Sequence, residues 1–263
     1  MLIRISKSSS IYSKRYELNI MGKDRIIRKV AKGFFITGTD TGVGKTLITA
    51  TLIKAIGILG LKACGMKPIE TGCLKEGDVL VPSDGMFIKT IARMEETIRQ
   101  VTPYCFESPL APMPASEIER ISINFEKIRN AYTYLAKIYD AIVVEGIGGL
   151  LVPIKKDYFV LDLARDFGLP LIVVSRPGLG TLNHTMLTVN YAIKEGLDVA
   201  GIIINYNHPP KETLAEDTNP DIMKQISPVP LIGIVPYLKD LEISTIERAV
   251  VKNLDLETIK RYL

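Results

Sequence analysis

The sequence predicts an α/β fold of three layers, a mostly parallel central sheet with helices on both faces. Six short runs are apolar throughout instead of alternating, which is the pattern of strands buried on both faces. Helical patterns separate most of these runs, as parallel crossovers require. The polar motifs fall directly after the runs, at the carboxyl ends where open parallel sheets bind their ligands.

The first strand is predicted at "GFFIT" (33–37), followed by a helix at about 44–60. Further strands are predicted at "KACGMK" (62–67), "DAIVVEG" (140–146), "PLIVVS" (170–175), "VAGIIIN" (199–205) and "PLIGIV" (230–235). Further helices are expected at about 84–96, 116–138, 158–167 and 181–195. The segment "TPYCFESPLAPMPASE" contains Pro103, Pro109, Pro112 and Pro114 and is predicted to be a long ordered loop. With 263 residues, the chain is long enough to bury a core without staples.

Charge is unevenly spread. Arg4, Lys7, Lys14, Arg15, Lys23, Arg25, Arg28, Lys29 and Lys32 crowd residues 1–32 against Glu17 and Asp24, so the remainder is slightly acidic despite a net +4. We therefore expect a basic extension over 1–32 and a single α/β domain over 33–263. The extension is Ser- and Arg-containing and acid-poor, like a transit peptide, but lacks the apolar segment of a secretory signal. Met21 offers a second start. No nucleic-acid partner is expected, and with no apolar run of 18 residues no membrane span is expected either. Cys64, Cys73 and Cys105 are odd in number and widely spaced, fitting reduced thiols in a cytoplasmic protein. His184 and His208 are too few for a histidine-based metal site.

The chemistry starts at "GTDTGVGKT", Gly38 to Thr46. The common phosphate loop has four residues between its glycines, and here five separate Gly38 from Gly44. The loop still follows a strand and opens a helix, the context that lets its amides and the helix N-terminus cradle phosphate. Lys45 is placed to reach the outer phosphates and Thr46 to ligate magnesium, giving a P-loop NTPase-like fold. In "MKPIETG", Lys67 closes a strand, and Pro68 fixes an extended exit. Alone it reads as a surface lysine; beside the phosphate loop it reads as functional. Glu145 in "AIVVEGIGG" stands where nucleotide hydrolases carry a magnesium-binding carboxylate, with Gly146, Gly148 and Gly149 permitting close approach. Asp84 in "PSDGMF" fits two roles, a metal ligand or a cap of the following helix, and Ser83 fits the cap as well. "RPGLGTLNHTML" (176–187) is a glycine-rich turn feeding a helix N-terminus, suited to an anion, with His184 as a helix-start hydrogen bonder. Asn205 ends its strand.

These motifs resemble, in collinear order from 33 to about 240, the dethiobiotin synthetase family: "GTDTGVGKT", "KPIETG", "SDG", "VEGIGGLLVP", "GLGTLNHTMLT", "GIIIN" and "IVPYL". The five-residue spacing is that family's own form of the loop. Relatives often carry Glu at the Gly42 position and His where Met113 stands. The resemblance implies a homodimer that makes dethiobiotin from 7,8-diaminononanoate, carbon dioxide and ATP. A carbamate forms, is phosphorylated, and is closed by the second amine. It implies Thr46, Asp84 and Glu145 as magnesium ligands, and Lys45 with Gly42, Val43, Gly44, Leu47, Gly146, Ile147 and Gly148 around the nucleotide. Lys67 would sit between carbamate and γ-phosphate, with Lys45 its partner in catalysis. Thr41 and Thr71 would bind the substrate. Asn205, Val235, Pro236 and Tyr237 would hold adenine. Leu179, Gly180, Thr181 and Asn183 would receive the substrate carboxylate from across a two-fold interface. Two rivals fit less well. Cobyrinate-type amide synthetases need a glutaminase domain, and this chain ends too soon for one. Partitioning-type ATPases carry "KGGVGKT" where this chain has "TDTGVGKT".

Overall fold

The computed structural model describes residues 32–263, so the basic extension, apart from Lys32, lies outside the described residues. In chain order the first elements are β1 (Lys32–Gly38), α1 (Lys45–Ile58), β2 (Ala63–Met66), β3 (Ile69–Thr71), β4 (Leu74–Glu76), β5 (Val79–Val81) and α2 (Ser83–Ala92). There follow α3 (Ile98–Val101), β6 (Tyr104–Phe106), α4 (Pro112–Ile118), α5 (Phe125–Ile138), β7 (Ala141–Glu145), β8 (Pro153–Lys155), β9 (Tyr158–Phe159) and α6 (Val160–Phe167). The chain continues through β10 (Leu171–Ser175), α7 (Thr181–Lys194), β11 (Val199–Asn205), α8 (Leu214–Ile226), β12 (Leu231–Val235), α9 (Ile243–Asn253) and α10 (Leu256–Lys260).

All six predicted strands join one parallel sheet in the order β12-β11-β10-β1-β7-β2. The chain first steps from β1 out to β2, then reverses through β7 to β10, β11 and β12. Parallel crossovers are right-handed, so this reversal puts α1 on one face and α5, α7 and α8 on the other. It also parts the loops after β1 and β10, opening a crevice at the carboxyl edge. The continuous apolar runs are explained by burial from both sides: every residue of β2, β7, β10 and β11 is buried. Among the described residues, no helix is long and apolar enough to cross a membrane.

Several expectations need correction. Lys32 opens β1 instead of closing the extension. The helix expected at 116–138 is two helices, α4 and α5. Arg120 takes a left-handed φ of 54° between them, and Asn124 caps α5 by accepting from Glu126 N at 2.8 Å. The proline-rich segment is no mere loop either, since it contains β6 and most of α4. Pro112 sits in the first turn of α4, where its missing N–H costs nothing. The helix expected from 158 starts at Val160, because Tyr158 and Phe159 pair with β8. Helices α3, α8, α9 and α10 were not foreseen.

Candidate active site

The phosphate loop links β1 to α1. Gly42 and Gly44 adopt φ values of 73° and 88°. A Cβ on Gly44 would also lie 2.0 Å from Asn205 Nδ2, so neither conformation nor space admits a side chain there. The loop is braced from the end of β11. Buried Asn205 donates to Val43 O at 2.9 Å, and Asn207 donates to Gly42 O at 2.5 Å. Its start is tied to the loop after β7 and to β10, with Gly38 N–H donating to Gly148 O (3.3 Å) and Thr39 N–H to Val174 O (3.0 Å). Lys45 is buried, and its Nζ donates to Asp40 O at 3.1 Å. Burial, reinforced by repulsion from Lys67, brings its ammonium down to about 8.

Beside Lys45 lies a compact charge cluster. Lys67 leaves β2 and reaches Asp84 Oδ2 at 2.9 Å and Glu145 Oε1 at 2.5 Å. Thr46 donates to the same Glu145 oxygen at 3.0 Å. Burial opposes the Lys67 ammonium, but the Glu145 and Asp84 carboxylates outweigh it and hold its pKa above that of an ordinary lysine. Burial also raises Glu145 further than Lys67 lowers it, and the Asp84 charge adds to the rise. At partly exposed Asp84 burial is overcome by the Lys67 ammonium, aided by the Thr46 hydroxyl, and the carboxyl falls below its usual range. Glu145 Oε2 is buried and has no hydrogen-bond partner.

Neither Asp84 nor Ser83 caps α2. The N-cap position is Pro82, without a side-chain bond, and the first amides of α2 are met from elsewhere. Glu70, 5% exposed at the centre of β3, accepts from Asp84 N (2.9 Å) through Oε1 and from Gly85 N (3.0 Å) through Oε2. That bidentate grip frees the Asp84 side chain for Lys67. Burial raises the Glu70 carboxyl, against the pull of the two amides. Sequence reasoning passed over Glu70, although it lies inside "KPIETG".

The third part is the turn between β10 and α7. Arg176 forms an ion pair with Asp40 of the phosphate loop, whose other oxygen accepts from Thr41 N at 2.7 Å. Leu179 is 92% exposed, and Gly180, at φ 90°, is the N-cap residue of α7. Asn183 is exposed in the first turn, but the Thr181 side chain is turned inward, 1% exposed and 3.4 Å from the Thr185 hydroxyl. The Thr181 backbone N–H is also engaged, donating to Gly178 O at 3.2 Å. His184 keeps a helix-start role through its N–H, which donates to Gly180 O at 3.2 Å.

The remaining predicted residues lie around these three parts. Thr41 is exposed beside Gly148, and Thr71 ends β3 half-buried. Gly146 anchors to β1 through Ile36 O at 2.9 Å, and Ile147 is partly exposed. Leu47 packs against a cluster of Ala50, Ile91 and Ile246, so its side chain belongs to the core. Val235 is buried at the end of β12, with Pro236 and Tyr237 exposed beyond it. Its carbonyl accepts from Tyr206 N, which brings that turn alongside Asn205.

A parallel sheet with a glycine loop, a buried lysine and a carboxylate-bearing neighbouring strand defines a P-loop nucleotide-binding protein. A family model described as an AAA domain matches residues 32–245. An ATP-dependent dethiobiotin synthetase from Thermodesulfovibrio yellowstonii is 46% identical over 86% of this chain and 98% of its own. Proteins of the same name from Bacillus licheniformis and Methanocaldococcus jannaschii are 38% and 37% identical, covering 87% and 80% of this chain and 95% and 96% of theirs. Among solved structures, a ParA family ATPase from Chlorobium tepidum aligns at a TM-score of 0.49 and 14% identity, over 89% of this chain and 94% of that one. The chain belongs to the dethiobiotin synthetase family.

Proposed function

We propose that this protein closes the ureido ring of dethiobiotin from 7,8-diaminononanoate, carbon dioxide and ATP, releasing ADP and phosphate. The observation that carries this reading is Lys67, a buried ammonium held by Glu145 and Asp84 next to the phosphate loop. A loop that only bound nucleotide would have no need of it. One amine of the substrate adds to carbon dioxide and loses a proton, giving a carbamate. The carbamate oxygen takes the γ-phosphoryl group, and the second amine then attacks the carbonyl carbon, expelling phosphate. Phosphoryl transfer asks mainly for positioning and charge neutralisation. Lys45 and the loop amides hold the phosphates, while Lys67 meets charge shared between carbamate and γ-phosphate. Thr41 and Thr71 flank the diamine. Asn205, whose buried Oδ1 lacks a partner, and the Val235–Tyr237 turn hold adenine.

Magnesium fits the residues present. Thr46, Asp84 and Glu145 are hard oxygen donors, and the orphaned Glu145 Oε2 is a buried acceptor. Magnesium held there would neutralise the outer phosphates. The substrate carboxylate is assigned to the Leu179–Asn183 turn of a second subunit. Support comes from α7 and the turn before it: Leu179 in the turn and Leu187 on the helix are 92% and 63% exposed, and an open groove of about 330 Å³ runs along Asn183, Leu187, Asn190 and Lys194. The test is a turnover assay with diaminononanoate, ATP and bicarbonate, following dethiobiotin by mass. ATP hydrolysis without dethiobiotin would overturn the reading.

A further inference from the structure

The turn assigned to the carboxylate offers backbone, so some other group must aim that backbone. Asn219 lies in α8, 5% exposed, and its Nδ2 donates to two successive carbonyls, Pro177 O at 2.8 Å and Gly178 O at 3.1 Å. A trans peptide is planar, with its C=O and N–H pointing in opposite directions. Drawing the Pro177 carbonyl inward therefore turns the Gly178 N–H outward. Drawing in the Gly178 carbonyl does the same for the Leu179 N–H. Gly180 then takes its left-handed conformation, and the first-turn amides of Leu182 and Asn183 follow, before the first α7 bond from His184 N–H to Gly180 O. Successive amides facing one way make a cradle for an anion.

Asn219 is itself held in place. Pro220 lacks the N–H that would bond the Glu216 carbonyl in a regular helix. Tyr206 OH takes that carbonyl instead at 3.3 Å, and Glu216 Oε2 accepts from Lys211 N at 2.8 Å. The helix is thus pinned to the end of β11 at the turn that carries Asn219.

We propose that Asn219 is a positioning residue for carboxylate binding: it touches no substrate, and it orients the Gly178 and Leu179 N–H groups that do. This rests on the assignment of the substrate carboxylate to the turn, and the test separates the two claims. Two substrates are compared, 7,8-diaminononanoate and 2,3-diaminooctane, which is the same chain without its carboxyl group. The wild-type protein should favour the acid strongly. Asn219→Ala should lose about tenfold or more in kcat/KM on the acid, the worth of a hydrogen bond to a charged group, chiefly through KM. It should leave kcat/KM on the diamine and KM for ATP unchanged. Equal losses on both substrates, or none on either, would overturn the positioning role of Asn219. A wild-type protein indifferent to the carboxyl group would overturn the assignment of the turn itself. Should Asn219→Ala fail to fold, Asn219→Asp keeps the shape while removing both donors, and the same comparison applies.

Discussion

The charge cluster around Lys67 and the turn after β10 are built by opposite means. In the cluster, largely buried side chains of opposite sign hold one another, so the groups proposed to do the chemistry also help keep the region folded. In the turn, the proposed binding groups are peptide N–H groups, and Asn219, which holds two of the turn's carbonyls, is buried on another helix. A substitution in the cluster must therefore disturb fold and catalysis together. One in or behind the turn should disturb binding of a single substrate and little else.

Lys67→Ala is the largest break. Turnover should fall about 10²–10³-fold, since the lost charge acts on the transition state. Removing the cation also strands two carboxylates, so stability should drop by about 3–5 kcal/mol, the cost of breaking a buried pair. Denaturant melts and steady-state assays at saturating magnesium and ATP read the two effects. A kcat within threefold of wild type would remove Lys67 from the mechanism.

The two regions can then be set against each other by mixing. Lys67→Ala disables the cluster, and Gly180→Asp places a repelling carboxylate in the turn. Each mutant, once shown to fold and dimerise, should be inactive alone. If sites are shared across a two-fold, each heterodimer carries one intact site. Half of a random mixture is heterodimer, so activity should return to about a quarter of wild type by symmetry. With subunit exchange confirmed, no recovery would mean that the turn serves its own subunit.

Asp84→Asn probes the exposed edge of the cluster. It removes a charge from the proposed magnesium site and from Lys67, but leaves Glu70 gripping the amides of residues 84 and 85. The magnesium concentration for half-maximal rate should rise about tenfold, on the scale of a lost charged contact of about 1.5 kcal/mol. An unchanged magnesium dependence would leave Asp84 only its ion pair. Glu70→Gln should be milder in kinetics and cost about 1 kcal/mol in melting experiments, because the two amides are held by separate oxygens and one of these becomes an NH2 donor facing an N–H.

The cluster was far more legible in the sequence than the support of the turn. Lys67 and Glu145 stand at strand ends and Lys45 and Thr46 at the start of α1, all inside short motifs, and the fold brings Thr46 and Lys67 to the same Glu145 oxygen. The strands were legible for the same reason, as burial on both faces leaves an unbroken apolar signature. Asp84 stayed ambiguous because its role depends on Glu70, fourteen residues earlier, taking over the helix start. Asn219 was invisible. It sits in a helix whose sequence, "LAEDTNPDIMKQI", carries a proline where helical periodicity would be sought, and its partners are carbonyls 41 and 42 residues away.

The smallest expected effect concerns the link between the two regions, the ion pair of Arg176 with Asp40. Asp40 also accepts from Thr41 N and offers its carbonyl to Lys45, so a stiff bridge here would make the phosphate loop and the turn one mechanical unit. The side chains are 41% and 53% exposed, however, and exposed pairs contribute only about 0–1 kcal/mol because water and salt screen them. Asp40→Asn retains an oxygen for Thr41 N–H and loses the charge; Arg176→Gln removes the partner. A double-mutant cycle on these two positions should give a coupling below about 1 kcal/mol in stability, and less than about fivefold in kcat/KM. The coupling should shrink further at 0.5 M salt, where the screening length is only about 4–5 Å. A coupling several times larger that persisted in salt would show that the buried cluster and the exposed turn are set as one piece, and the contrast between them would fail.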